Sequence, residues 1–140
     1  MIAIVLEETE QLFIGQSWDL YWTFHFTLPS HDDYLAMVDA KTGGLLRMLL
    51  RSMACAAPPP SLLTPTEGGQ TQPSSTTSTS ALDVLARTLG RFFQIRGDYK
   101  TLTSADVWAK KGFAEDLDEG KFSYPLIAAV AADHHARTAS

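Results

Sequence analysis

At 140 residues, 45% of them hydrophobic and 19% charged, the chain has the size and composition of one ordinary globular domain with a modest core. Sixteen acidic residues against eleven basic ones leave a formal charge of −5, which argues against a nucleic-acid surface, so a polyanion would have to be met by a local basic cluster or a metal. No run approaches the ~20 apolar residues of a membrane span, the opening MIAIVLEETE lacks the basic leader of a signal peptide, and a lone Cys55 allows no internal disulfide; an intracellular, cytoplasmic setting is expected.

Residues 1–26 predict a first helix, because Val5, Leu6, Leu12, Phe13, Leu20 and Phe24 recur at three-, four- and seven-residue intervals. Glu7, Glu8, Glu10 and Gln11 mark its wetter side, and Gln16, Asp19 and Thr23 form a polar face bounded by Trp18 and Trp22. Pro29 stops it, and Ser30 followed by Asp33 is a capping-box-like start for a second helix. That helix runs to about Met53 on a stripe of Leu35, Val38, Leu45, Leu46, Leu49 and Met53. Gly43-Gly44 in its middle signals a kink or a close approach.

Residues 54–80, rich in Pro, Ser and Thr, carry no periodic apolar pattern and read as a disordered loop. A third helix starts near Ala81, carries Leu82, Leu85, Leu89, Phe92, Phe93 and Ile95, and ends close to Leu102. Thr103 or Ser104 is placed to cap a short helix from Ala105; Pro125 begins an apolar segment, and residues 128–140 read as a frayed tail. With no repeat and no β-alternation, the expected fold class is all-α.

Several residues carry chemistry. Gln94, Asp98 and Thr101 stand at i, i+4 and i+7, so they share a helix face. That face suits either Mg²⁺, which takes oxygen ligands and keeps waters, or plain solvent. Lys41, beside Thr42, either snorkels to the surface or enters a cavity as a compact charge for a phosphate. Lys111 and Lys121 bracket Glu115, Asp116, Asp118 and Glu119, which suits phosphate contact or surface ion pairs. Asp133, His134 and His135 hold metal-capable atoms, but at the end of the chain.

Four blocks in order, GQSWDLYW (Gly15–Trp22), AMVDAKTGGLLRMLLR (Ala36–Arg51), LGRFFQIRGDYKTL (Leu89–Leu102) and KGFAEDLDEGKFSYPLI (Lys111–Ile127), resemble the C-terminal half of the short-chain trans-isoprenyl diphosphate synthases. The likeness is nearest to geranylgeranyl diphosphate synthases and to the prenyltransferase domains of fungal-type bifunctional terpene synthases. The resemblance implies one partial all-α isoprenoid synthase domain over residues 1–140. It also implies Mg²⁺-dependent condensation of an allylic isoprenoid diphosphate with isopentenyl diphosphate. By matching position, Lys41, Thr42, Gln94, Lys111 and Lys121 would bind the substrate diphosphate, Asp98 the metal, and Gln16 and Asp19 would line the cavity. The departures are Gly97 where the family has the first of two adjacent aspartates, Thr101 where it has Asp or Asn, and no match to its first aspartate-rich motif. The expectation is a truncated prenyltransferase, weak or inactive alone, marginally stable or oligomeric. The alternative is a non-catalytic helical partner of a full-length synthase.

Overall fold

The computed structural model describes residues 1–56, 75–111 and 115–138, with the side chains of residues 75–80, 107, 110, 111, 115, 135 and 138 outside the described set. The described residues form six helices and no strand, as the all-α expectation required: α1 (Ile2–His25), α2 (His31–Ala56), α3 (Ser75–Thr103), α4 (Ala105–Lys111), α5 (Glu115–Asp118) and α6 (Tyr124–Thr138).

The α1–α2 connection follows from local chemistry. Phe26 takes the left-handed conformation at φ 50°, and Thr27 N–H bonds Trp22 O at 3.0 Å, closing α1. The expected capping box then opens α2: Asp33 N–H donates to Ser30 Oγ at 3.1 Å, and Ser30 Oγ donates to the Asp33 carboxylate at 2.6 Å.

The long helices run antiparallel with α2 in the centre, and glycines set their spacing. A Cβ on Gly15 would lie 2.7 Å from Lys41 N, and one on Gly90 would lie 2.9 Å from both Cα and N of Gly43. The glycine pair of α2 therefore marks a close helix crossing within an unbroken helix.

The packing faces keep the start of the expected α2 stripe, where Val38 is buried and Leu35 packs on the core, and depart from the stripes elsewhere. On α1 the buried residues are Glu8, Gly15 and Asp19, while Leu6, Phe13, Leu20 and Phe24 are more than half exposed. Glu8, assigned to the wetter side, is 3% exposed, because Arg47 Nε and Arg51 Nη1 on α2 meet its carboxylate at 3.0 and 2.7 Å. Asp39 and Arg91 likewise form a bidentate pair across α2 and α3, both bonds 2.7 Å. Small and charged residues form these interfaces, so Leu45, Leu49, Met53, Phe92 and Phe93 also stay outside.

The apolar core sits at one end, where α1 and α3 finish and α2 and α6 begin. Tyr34, Met37, Val38 and Ile127 are buried there, with Trp22, Leu35, Ile95, Phe122 and Tyr124 against them. Two sequence expectations shift. Helix intrudes on the 54–80 stretch from both sides, to Ala56 and from Ser75, and the residues between lie outside the described set. The expected frayed tail is helical to Thr138, since Pro125 suits a helix's first turn and the run of alanines that follows favours continuation.

Candidate anion and metal site

One cluster gathers at the core end, built from four elements. From α1, Asp19, 8% exposed, accepts from Lys41 Nζ of α2 at 2.6 Å. From α2, Thr42 Oγ1 donates to Gln94 Oε1 of α3 at 3.0 Å, and Gln94 Nε2 donates in turn to Asp98 Oδ1 at 2.9 Å. Asp98 Oδ2 accepts twice more, from the Tyr34 hydroxyl at 2.5 Å and from the Tyr124 amide at 2.9 Å. Asp98 is 2% exposed, so an ionised carboxylate there needs such partners. Lys121, in the turn before α6, lies 3.4 Å from Asp116.

The electrostatics tie these groups together. Burial alone would pull Lys121 down, but the Asp116, Asp98 and Asp19 carboxylates hold it above its usual range. Burial, then the charge of Asp98 and its hydrogen bond, push the Tyr34 phenol far above the ordinary tyrosine range. Tyr34 is therefore a fixed donor. Ser123 is 1% exposed, and its Oγ meets no hydrogen-bond partner among the described residues.

The structure thus brings together Lys41, Thr42, Gln94, Asp98, Asp19 and Lys121 of the residues singled out by sequence. Gln16 is half-buried on α1, close in sequence to Asp19. Thr101 turns back onto its own helix, donating to Gly97 O at 3.2 Å, and does not join Gln94 and Asp98. Lys111 closes α4, and its side chain lies outside the described set. At the chain's end, Asp133 pairs with Arg137 at 2.9 Å, and the side chain of His135 is not described. Sequence reasoning missed Tyr34 and the Tyr124 amide. A tyrosine beside a cap carries no signal of the aspartate it will meet 64 positions later.

The donor set bears on Mg²⁺. Among the described residues no three His, Cys, Asp or Glu converge as a ready-made cage, and both oxygens of Asp98 are already engaged. What fits is the other Mg²⁺ mode, in which one or two carboxylates and several waters complete a cation carried by phosphate oxygens. Asp19 and Asp116 each meet a lysine through one carboxylate oxygen, Lys41 at 2.6 Å and Lys121 at 3.4 Å.

The polyprenyl synthetase family model matches residues 1–139. The chain is 46% identical over 129 residues to talaropentaene synthase of Talaromyces verruculosus, covering 92% of this chain and 17% of that protein. It is 48% identical over 126 residues to ophiobolin F synthase of Aspergillus calidoustus, covering 90% and 15%. A bifunctional terpene synthase of Fusarium proliferatum is 46% identical over 132 residues, covering 93% and 15%. The chain spans about one-sixth of the length of these relatives. By a match from its first residue to its last but one, the chain belongs to the polyprenyl synthetase family.

Proposed function

We propose that the cluster is the diphosphate end of a prenyltransferase site for isoprenoid biosynthesis. There Lys41, Thr42, Gln94, Lys111 and Lys121 receive an allylic isoprenoid diphosphate, which condenses with isopentenyl diphosphate. The observation that carries the reading is that Lys41 and Lys121, 80 positions apart, share Asp19: Lys41 Nζ meets it at 2.6 Å, and its charge acts on Lys121 beside those of Asp116 and Asp98.

These carboxylates also support a requirement for Mg²⁺. Asp19, Asp98 and Asp116 all act on Lys121, one of the lysines proposed to receive the diphosphate, and a cation between these carboxylates and the anion would reduce their repulsion. When bound, the cation would supply positive charge to a departing diphosphate. The residues of this chain do the rest. Asp19 holds the Lys41 ammonium in place, Gln94 joins Thr42 to Asp98, and burial of the cluster's floor keeps water away. With Gly97 and Thr101 where the family carries metal-facing side chains, turnover by this chain alone is proposed to be weak or absent.

The exposed Phe13, Phe24, Phe92 and Phe93 favour a second reading, in which the chain acts packed against another copy or a full-length synthase. Titration calorimetry with pyrophosphate tests the first. Heat is expected only with Mg²⁺ present, and Lys121→Ala should weaken binding about tenfold, as loss of a charge-assisted contact does. Equal heat without Mg²⁺, or unchanged affinity in Lys121→Ala, refutes it.

A further inference from the structure

We propose that Tyr34 is a positioning residue for the anion site: by holding Asp98 it clamps the start of α6 and so seats Lys121. The clamp follows from geometry alone. Only its consequence for a bound diphosphate rests on the function proposed above.

Tyr34 lies in the first turn of α2, is 1% exposed, and packs its ring 5.8 Å from that of Tyr124. Its hydroxyl and the Tyr124 amide end on the same oxygen, Asp98 Oδ2, at 2.5 and 2.9 Å. Tyr124 opens α6, so Asp98, reaching across from α3, performs the work of an N-cap on another helix. An N-cap acceptor normally comes from the helix's own sequence. Here it is held by a phenol on a third helix.

Lys121 hangs from the other end of the same short turn. Ser123 N–H bonds Lys121 O at 3.1 Å, and Lys121 N–H bonds Asp116 O at 2.8 Å. The turn is therefore fixed at its entry by α5 and at its exit by Asp98. Loosening the exit frees the backbone that carries the ammonium.

Tyr34→Phe keeps the ring and removes only the donor. Amide hydrogen exchange followed by NMR should show the Tyr124 amide exchanging about tenfold faster or more, relative to amides of α1. Affinity for pyrophosphate with Mg²⁺ should fall several-fold. Arg51→Ala is the control for general destabilisation, since it breaks the Glu7 and Glu8 pairs at the opposite end of α1 and α2. It should leave both the relative Tyr124 exchange and the affinity unchanged. Should Tyr34→Phe fail to fold, Asp98→Asn keeps an acceptor but drops the charge, and should raise Tyr124 exchange by a smaller factor. Tyr124 exchange unaltered in the variant that folds, or raised equally by Arg51→Ala, overturns the proposal. A wild-type chain that takes no pyrophosphate with Mg²⁺ overturns the diphosphate reading instead, and the exchange comparison still decides the clamp.

Discussion

Gly90 and Gly97 lie two helical turns apart on α3, and the structure gives their replacement by alanine opposite signs. In a helix interior the change is worth about 1 kcal/mol through propensity, wherever the added Cβ finds room. At Gly97 nothing lies within 4 Å of that Cβ, so the gain stands at about 0.5–1 kcal/mol. At Gly90 the Cβ would land 2.9 Å from Cα and N of Gly43, against the ~3.5–4.0 Å that carbon contacts prefer. Both obstructing atoms are backbone in mid-helix, so α3 has to draw back from α2. Overpacking of this kind costs about 1–3 kcal/mol. The retreat also stretches the Thr42–Gln94 and Tyr34–Asp98 bonds, each worth about 1 kcal/mol or more. Gly90→Ala should therefore be about 1–3 kcal/mol less stable than the parent after the propensity gain is subtracted, with Gly97→Ala above the parent. Urea unfolding followed by far-ultraviolet circular dichroism measures both. Midpoints for Gly90→Ala at or above those of Gly97→Ala would mean that the two backbones do not meet.

Two further outcomes follow from the site. The Tyr34 pKa is raised above its ordinary 10.0, so the stability it confers is complete below that value and declines as pH rises beyond it, by about 1.4 kcal/mol per pH unit. Lys121, also raised, adds to the decline with the same sign above 10.5. Denaturant unfolding between pH 9 and 11 should show a shallower fall for Tyr34→Phe, and identical slopes would disprove the account. Gly97→Asp places a carboxylate in open space beside Asp98; it should tighten Mg²⁺-dependent pyrophosphate binding at some loss of stability, and calorimetry showing no gain would sever Gly97 from the metal.

Much of the fold was legible where short-range chemistry decides it. Ser30 and Asp33 form the cap that their spacing announces, Pro29 separates two helices, and the α2 glycine pair marks a close approach. Lys41, Gln94 and Asp98 were legible as polar breaks in helical patterns. The buried faces were legible only in part, at Val38, Leu35 and Ile95. Periodicity finds an apolar stripe but cannot say that a helix will pack through the opposite one. Glu8 is buried because Arg47 and Arg51 arrive from α2, and Asp98 because Tyr34 and Tyr124 arrive from two other elements. Those pairings exist only after the chain has folded.

The two ends of the bundle handle charge differently, and the contrast bears on which end binds a ligand. At the far end Glu7 and Glu8 meet Arg47 and Arg51 across α1 and α2, and Asp83 lies in the same group with a buried oxygen, Oδ1, that meets no partner among the described residues. The pairs on buried Glu8 hold α1 and α2 in register, and breaking a buried pair of that kind costs about 3–5 kcal/mol. At the core end, among the described side chains, Lys41 meets Asp19, and the charges of Asp116, Asp98 and Asp19 act together on Lys121, while a fully buried hydroxyl, Ser123 Oγ, meets no partner among the described residues. The convergence of these charges from three helices and a turn, more than any single residue there, is what the proposed diphosphate reading rests on.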